Sequence, residues 1–185
     1  KGEILNNGTS SFIIHARKAL LNGLSPKENR EIPPLNYQRV RDLKIKFGES
    51  IHVTVNGGIK SYDDAKKLLQ WSDGIMIGRE AYKAPFILTS LENLIHNNLK
   101  NNNLSRLRVS ELMSDYASVM IKKYNIRIHS ITRHMLGLYS GLKGARSYRR
   151  ELSEMSNKYN SDPNIIVEAA VMAESLCKDI SNKVA

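Results

Sequence analysis

Apolar residues in the first hundred positions form short runs that alternate with segments of helical spacing. Three runs rich in β-branched or aliphatic residues, Ser11–Ala16, Ile51–Val55 and Asp73–Ile77, predict short strands, the first and the third of them buried. Between them, Tyr37–Phe47 and Ser61–Trp71 show the 3.6-residue period of amphipathic helices, the second opening on a serine N-cap. Strands that alternate with helices predict an α/β fold with a parallel sheet.

The pattern changes after Pro85, where strand-like runs stop. Helical periodicity then predicts four helices, at Ser105–Tyr124, Arg127–Tyr139, Ala145–Met155 and Pro163–Asp179. An Asn-rich segment separates the two regions. We therefore predict an α/β region at 1–95, a connector at 96–104 and an all-helical domain at 105–185.

The charge of the chain indicates which kind of partner it binds. The chain has 28 basic and 18 acidic residues, a net charge of +10 and a pI near 9.7, values typical of proteins that bind polyanions. No Asp or Glu occurs from Tyr116 to Arg150, a segment that holds eight cations: Lys122, Lys123, Arg127, Arg133, Lys143, Arg146, Arg149 and Arg150. A solvated helical face would also accommodate them, but we favour a surface that contacts nucleic-acid phosphates.

Other classes of protein are disfavoured by what the sequence lacks. It has neither the roughly 18 to 20 apolar residues of a membrane-spanning helix nor a secretory signal, so we expect a soluble, non-secreted protein without a membrane partner. The single cysteine, Cys177, allows no internal disulfide or cysteine zinc site, and we expect it to be inert and the protein to bind no metal.

Two glycine turns follow consecutive predicted strands, Asn56-Gly57-Gly58 and Gly78-Arg79. The carboxyl ends of neighbouring parallel strands lie side by side, and glycines let backbone N–H groups approach an anion closely, so together the turns predict a phosphate site. Asn-Gly alone is a weak signal, because it is also common in hairpins. His15 ends the preceding strand and is followed by Arg17 and Lys18, which favours a ligand contact there over simple packing.

The segment from Ser11 to Leu35 raises a separate question, because a strand is followed by a long, charged stretch without clear periodicity. Loops of this length are usually functional or disordered.

At these residues the chain resembles a known family. The runs "FIIHARKALLNGLSPKENREIPPLNY", "VNGGI", "DGIMIGREAYKAPF" and "HMLGLYSGLKGARSYRRELSE" are similar, in order from Phe12 to Glu154, to the A branch of the flavin-dependent tRNA-dihydrouridine synthases. "HARKA", "LSPKENREIPPL" and "GAR..RR" are specific to that branch, whereas Asn-Gly-Gly and Gly-Arg occur in many FMN barrels.

The resemblance implies an FMN-binding TIM (β/α)₈ barrel, of which this chain holds about strands 6 to 8, followed by a helical tRNA-binding domain. It implies NADPH-dependent reduction of D-loop uridine, around position 20 of tRNA, to dihydrouridine. The flavin and its phosphate would be contacted by His15, Asn56, Gly57, Gly58, Gly78 and Arg79. The tRNA would be contacted by Arg17, Lys27, Arg30, Arg146 and Arg149.

The chain also departs from the family pattern. The family's general acid, a cysteine, lies in the earlier half of the barrel, so we expect no catalytic residue here, and Cys177 is too far downstream to replace it. Three strands are too few to close a barrel. We therefore expect the C-terminal part of a longer enzyme, monomeric and cytoplasmic (or organellar in a eukaryote), and expect this part alone to be inactive and to hold FMN poorly.

Two other functions remain open. One is a non-catalytic RNA-binding helical module, which the acid-free segment alone would support. The other is a different FMN or sugar-phosphate barrel enzyme, which the glycine turns would allow but which gives no reason for the basic helical domain.

Overall fold

The computed structural model describes residues 8–20, 22–96 and 104–178. Within them the elements follow in the order β1 (Ser11–His15), α1 (Tyr37–Phe47), β2 (His52–Asn56), α2 (Tyr62–Leu69), β3 (Gly74–Met76), α3 (Arg79–Lys83), α4 (Ile87–His96), α5 (Arg106–Tyr124), α6 (His129–Thr132), α7 (Ala145–Lys158) and α8 (Ile165–Lys178). Short 3₁₀ helices occur at Glu28–Arg30 and Gly48–Ser50. Apart from its two end residues, the predicted connector at 96–104 lies outside the described residues.

The described residues form two compact units, which divide between Glu80 and Ala81. The helix α4 therefore belongs to the second unit, although the sequence boundary at 95 assigned it to the α/β region. A physical reason is that Phe86, just before α4, packs against the helical core of the second unit. Where the domains divide in the complete protein stays a prediction.

The first unit is built on a three-stranded parallel sheet of order β1-β2-β3, as the alternation of strands and helices predicted. Val53 and Val55 on one face of β2 have no exposed surface, whereas on the opposite face Ile13 is 63% exposed and Met76 46% exposed. The predictions that β1 and β3 are buried are therefore wrong for this face of the sheet. Successive side chains of a strand point to opposite sides, and the described residues cover only one side of this sheet.

Capping residues set the ends of the helices in the first unit. Asn36 accepts a hydrogen bond from the Arg39 N–H at the start of α1, and Gly48 follows its end at φ +55°. Ser61 and Asp64 form a reciprocal capping box at the start of α2, which confirms Ser61 as the predicted N-cap.

An ion pair ties α1 to the sheet. The Lys44 ammonium lies 2.9 Å from the Asp73 carboxylate, which also accepts a 2.7 Å hydrogen bond from the Val53 N–H. Burial opposes ionisation of Asp73, but the Val53 N–H and Lys44 outweigh it and hold the pKa of this carboxyl below its usual value. The pair therefore stabilises the packing of α1 on the sheet in its ionised form.

The second unit packs α5, α7 and α8 around one apolar core. Tyr139 and Tyr148 lie at its centre with ring centroids 4.6 Å apart, and Leu152 and Ile165 are fully buried beside them. Gly144, at the start of α7, lies so close to the backbone of α8 that a Cβ would collide with the Ala173 carbonyl. A small residue is therefore required where these two helices meet.

The predicted helix at Arg127–Tyr139 is mostly wrong. Only α6 is helical, and from Arg133 the chain continues in tight turns with hydrogen bonds such as Leu138 N–H to Met135 O and Ser140 N–H to Gly137 O. Tertiary contacts overrode the helical period here: Gly137 packs directly on the Lys83 carbonyl, and Gly141 adopts φ +84°.

Candidate functional site

The carboxyl ends of the three strands come together at one edge of the sheet. His15 pairs in register with Asn56, and Asn56 pairs with Met76. The side-chain amide of Asn56 donates a 2.9 Å hydrogen bond to the Met76 carbonyl. The predicted adjacency of the two glycine turns is therefore confirmed.

The first of these turns requires glycine for two reasons. Gly57 and Gly58 have φ values of +112° and +72°, which L side chains rarely adopt. A Cβ on Gly58 would also overlap Leu35 Cδ1 and lie 3.0 Å from the hydroxyl of Tyr37, and that hydroxyl donates a 2.6 Å hydrogen bond to the Gly57 carbonyl. Tyr37, at the start of α1, thus anchors the turn through this hydrogen bond.

The backbone donors of both turns are free for a ligand. The N–H groups of Gly57, Gly58 and Gly78 donate to no backbone carbonyl among the described residues. A Cβ on Gly78 would meet nothing within 4 Å, so there is open space above the second turn. Successive free N–H groups in a glycine turn form a concavity that suits an anion.

His15 lies against the first turn in an electropositive environment. Its ring packs on Gly57, where a Cβ would be 3.1 Å from Cε1. Burial lowers the pKa of His15, and the nearby guanidinium groups of Arg17, Arg79 and Arg30 lower it further. The imidazole is therefore neutral at pH 7, while three cations from separate segments surround it.

Arg79 links the second glycine turn to the long loop. Its Nη1 lies 2.8 Å from Oε1 of Glu31, and its Nη2 is 3.5 Å from the Arg30 carbonyl. Both members of the ion pair are about half exposed, so the pair is open to competition by a bound anion.

Arg17 holds the base of the same loop. Its Nη1 donates to the carbonyl oxygens of Glu31, at 3.3 Å, and Pro33. Its Nε is buried and has no acceptor in the part of the chain that the structure describes. Arg17 therefore braces the return of the loop to α1.

The long loop is ordered by its own side chains. The Asn29 amide donates to the Leu20 carbonyl and accepts from the Leu20 N–H, both at 2.8 Å, and Glu28 accepts a 2.8 Å bond from the Ser25 N–H. The 3₁₀ turn at Glu28–Arg30 places Arg30 near His15 but leaves Lys27 exposed at its start. Of the predicted loop residues, the structure thus brings Arg30 to the site and keeps Lys27 outside it.

Sequence reasoning missed three residues of this site, Glu31, Leu35 and Tyr37. Glu31 lies 48 positions from Arg79, and no local pattern marks that pair. Tyr37 is the first residue of a predicted helix, and its sequence position gave only a weak sign that it would contact the glycine turn.

The second unit presents the predicted basic surface. Arg146 and Arg149 are exposed on α7, one turn apart, while Tyr148 and Leu152 on its other face are buried. Arg150 is exposed on the same side. None of the eight cations between Tyr116 and Arg150 forms an ion pair within the described ranges, which leaves them available to an anionic partner.

Three further features concern membrane spans, metal sites and the single cysteine. In the described ranges no helix is both long and apolar enough to cross a membrane. The same residues contain no group of three His, Cys, Asp or Glu side chains positioned to hold a metal ion. Cys177 is a free, half-buried thiol on α8.

These features define a class: an α/β unit whose parallel strands end at an electropositive, glycine-lined edge, continued by a basic helical unit. The family model described as "Dihydrouridine synthase (Dus)" matches residues 2–176. The chain therefore belongs to the dihydrouridine synthase family, as its resemblance indicated. Members of this family are TIM barrels, and the three-stranded parallel sheet is compatible with part of one.

Curated relatives agree with this assignment. Proteins named tRNA-dihydrouridine(20/20a) synthase are 44% identical over 163 residues in Shewanella oneidensis, 48% over 158 residues in Escherichia coli (strain K12) and 45% over 163 residues in Vibrio parahaemolyticus. These matches cover 88%, 85% and 88% of this chain, and 48%, 45% and 49% of the respective relatives. The chain thus spans about half the length of the curated relatives it matches.

Proposed function

We propose that this chain supplies the flavin-phosphate site and the tRNA-binding surface of a tRNA-dihydrouridine synthase that reduces uridine at position 20 or 20a with FMN and NADPH. The observation that carries the proposal is the edge of the sheet where His15, two glycine turns and three arginines converge. The names of the relatives support the choice of tRNA and of the position.

The residues present fit an FMN phosphate. The free N–H groups of Gly57, Gly58 and Gly78 match the acceptor oxygens of a phosphate, and Arg79 adds a guanidinium at the same edge. Asn56 fixes the spacing of the turns through its bond to the Met76 carbonyl. When bound, FMN supplies hydride transfer from NADPH to the uracil C5=C6 bond.

His15 would contact the flavin as a neutral imidazole, because burial and its arginine neighbours keep it unprotonated at pH 7. A neutral ring accepts or donates a hydrogen bond without adding a charge beside the cofactor. The proton for uracil is, in this proposal, donated by a residue that is not in this chain. Cys177 in α8 belongs to the second unit and is not assigned that role.

The second unit would bind tRNA, with Arg146 and Arg149 on phosphates. In the first unit, Lys27 and Arg30 of the ordered loop would meet the same substrate, and Arg17 would act by bracing that loop. The free cations of the acid-free segment support this assignment, since phosphate contacts provide most of the affinity for nucleic acid. The proposed location is the cytoplasm, where tRNA is modified.

A chimera tests the proposal. The first half of the Escherichia coli relative, joined ahead of this chain, is expressed in cells that lack their own dihydrouridine at position 20, and tRNA is analysed by mass spectrometry after nuclease digestion. We expect dihydrouridine to return at position 20 or 20a. Arg79→Gln should lower the FMN content of the chimera, whereas Arg41→Gln, with the same charge change on α1, should not.

The same experiment separates the alternative function. A chimera that folds, binds FMN and binds tRNA but forms no dihydrouridine would contradict the proposal and favour a non-catalytic RNA-binding module.

A further inference from the structure

Three exposed side chains of the second unit form a hydrogen-bonded row: Arg133, His134 and Tyr82. The Nε–H of Arg133 donates to Nε2 of His134 at 3.1 Å, and Nδ1 of His134 lies 2.8 Å from the Tyr82 hydroxyl. Tyr82 is 61% exposed. The row includes none of the residues assigned above to FMN, and Arg133 alone of its members belongs to the eight cations of the acid-free segment.

The hydrogen bonds fix where the protons lie. A guanidinium only donates, so Nε2 of His134 must be the unprotonated ring nitrogen that accepts from Arg133. The neutral ring then carries its proton on Nδ1 and donates it to the Tyr82 oxygen. The Tyr82 hydroxyl proton therefore points away from the row and can be donated to a ligand.

The backbone behind Tyr82 is held rigidly. The Ser140 hydroxyl donates a 2.8 Å bond to the Lys83 carbonyl, and Gly137 packs so closely on Lys83 that a Cβ would collide with it. These contacts join the backbone at Tyr82 and Lys83 to the turn that follows His134. The row is thus pre-organised, which lowers the entropic cost of binding.

The row presents two kinds of contact to one ligand. The Tyr82 hydroxyl and the Nη groups of Arg133 are outward donors, which suit a phosphate. The Tyr82 ring meets the His134 ring at 71° and 5.9 Å, an edge contact that leaves most of its surface open to a flat partner. A phosphate joined to a flat, stacking group is the chemistry of an unpaired nucleotide.

We propose that Tyr82, His134 and Arg133 form a binding site for an unpaired nucleotide of tRNA, with the base on the Tyr82 ring and its phosphate on Arg133. His134 is a positioning residue that orients the other two. The inference rests on the proposed function, since it assumes that tRNA is the polyanion this chain binds.

The test measures binding of an unmodified tRNA transcript to the full chain over a range of salt concentrations. Tyr82→Leu should weaken binding tenfold or more through lost stacking, and Tyr82→Phe about two- to tenfold without a change in salt slope. Arg133→Gln should lower the slope by about 0.7, the value for one single-strand phosphate contact. Arg108→Gln is the matched control, because Arg108 is already paired with Glu111 at 2.8 Å.

A separate variant tests the role of His134 as a positioning residue. His134→Asn keeps an amide donor near the position of Nδ1 but loses the acceptor for Arg133, so it should lower the salt slope like Arg133→Gln while retaining stacking. Circular dichroism and thermal unfolding confirm that each variant folds.

Two outcomes overturn the inference in distinguishable ways. If the wild-type chain binds tRNA and the Tyr82 and Arg133 variants bind as Arg108→Gln does, the nucleotide site is wrong and the proposed function stands. If the wild-type chain shows no tRNA binding, the nucleotide site and the proposed function are both wrong.

Discussion

Substitution of Gly58 by alanine tests the geometry of the first glycine turn. The left-handed φ of +72° costs an L residue about 1–2 kcal/mol. The added Cβ would also overlap Leu35 Cδ1 and press on Tyr37, and overpacking of this kind costs about 1–3 kcal/mol. We expect Gly58→Ala to lower the free energy of unfolding of the first unit by about 2–5 kcal/mol.

Gly23→Ala is the matched control. Gly23 has a similar φ of +87°, but a Cβ there would meet nothing within 4 Å. It should therefore lose only the conformational part, and the effect of alanine on the unfolded chain is shared by both variants. Urea unfolding is followed through Trp71, the chain's single tryptophan, which lies half-buried in the first unit.

A double variant identifies the source of the extra cost. Leu35→Ala removes the atom that the new Cβ would strike, so Gly58→Ala should cost about 1–3 kcal/mol less in that background. If Gly58→Ala and Gly23→Ala lower the unfolding free energy equally, Leu35 does not pack against the turn and the described geometry is refuted.

Two further predictions concern the first unit. Asp73 has a pKa below its usual value in the folded state, so its stabilising effect is complete above about pH 4 and is lost as the pH falls through the lowered pKa. The urea midpoint of the wild type should therefore drop more steeply with acid than that of Asp73→Asn. Parallel curves would show that the ion pair of Asp73 with Lys44 contributes nothing to stability. The chain alone should purify with far less than one FMN per molecule, because the apolar side chains of Ile13 and Met76 are exposed on one face of the described sheet. A stoichiometric flavin absorbance, or dihydrouridine formed by the chain alone, would contradict this.

Local signals predicted the elements whose ends are capped locally. The helix at Tyr37–Phe47 has the predicted bounds because Asn36 and Gly48 set its two ends. The neighbouring glycine turns also followed from sequence, because parallel strands place their carboxyl ends at the same edge whatever lies between them.

Long-range contacts account for what sequence reasoning missed. The ion pair of Glu31 with Arg79 joins residues 48 positions apart. The turns after α6 replace a predicted helix because Gly137 packs on Lys83, a contact between segments more than fifty positions apart. The open face of β1 could not be read from its apolar composition, because burial of a strand depends on which other elements cover it.

The salt dependence of tRNA binding tests most directly the central claim, that this chain carries a tRNA-binding surface. The logarithm of the association constant is measured against the logarithm of salt concentration for the wild type and for two double variants with the same charge change, Arg146→Ala with Arg149→Ala, and Arg39→Ala with Arg41→Ala. Arg39 and Arg41 are exposed on α1 and have no assigned tRNA contact. We expect the first variant to lose about 0.7–0.9 of the slope per arginine and the second to keep the wild-type slope. An unchanged slope for Arg146→Ala with Arg149→Ala would contradict it.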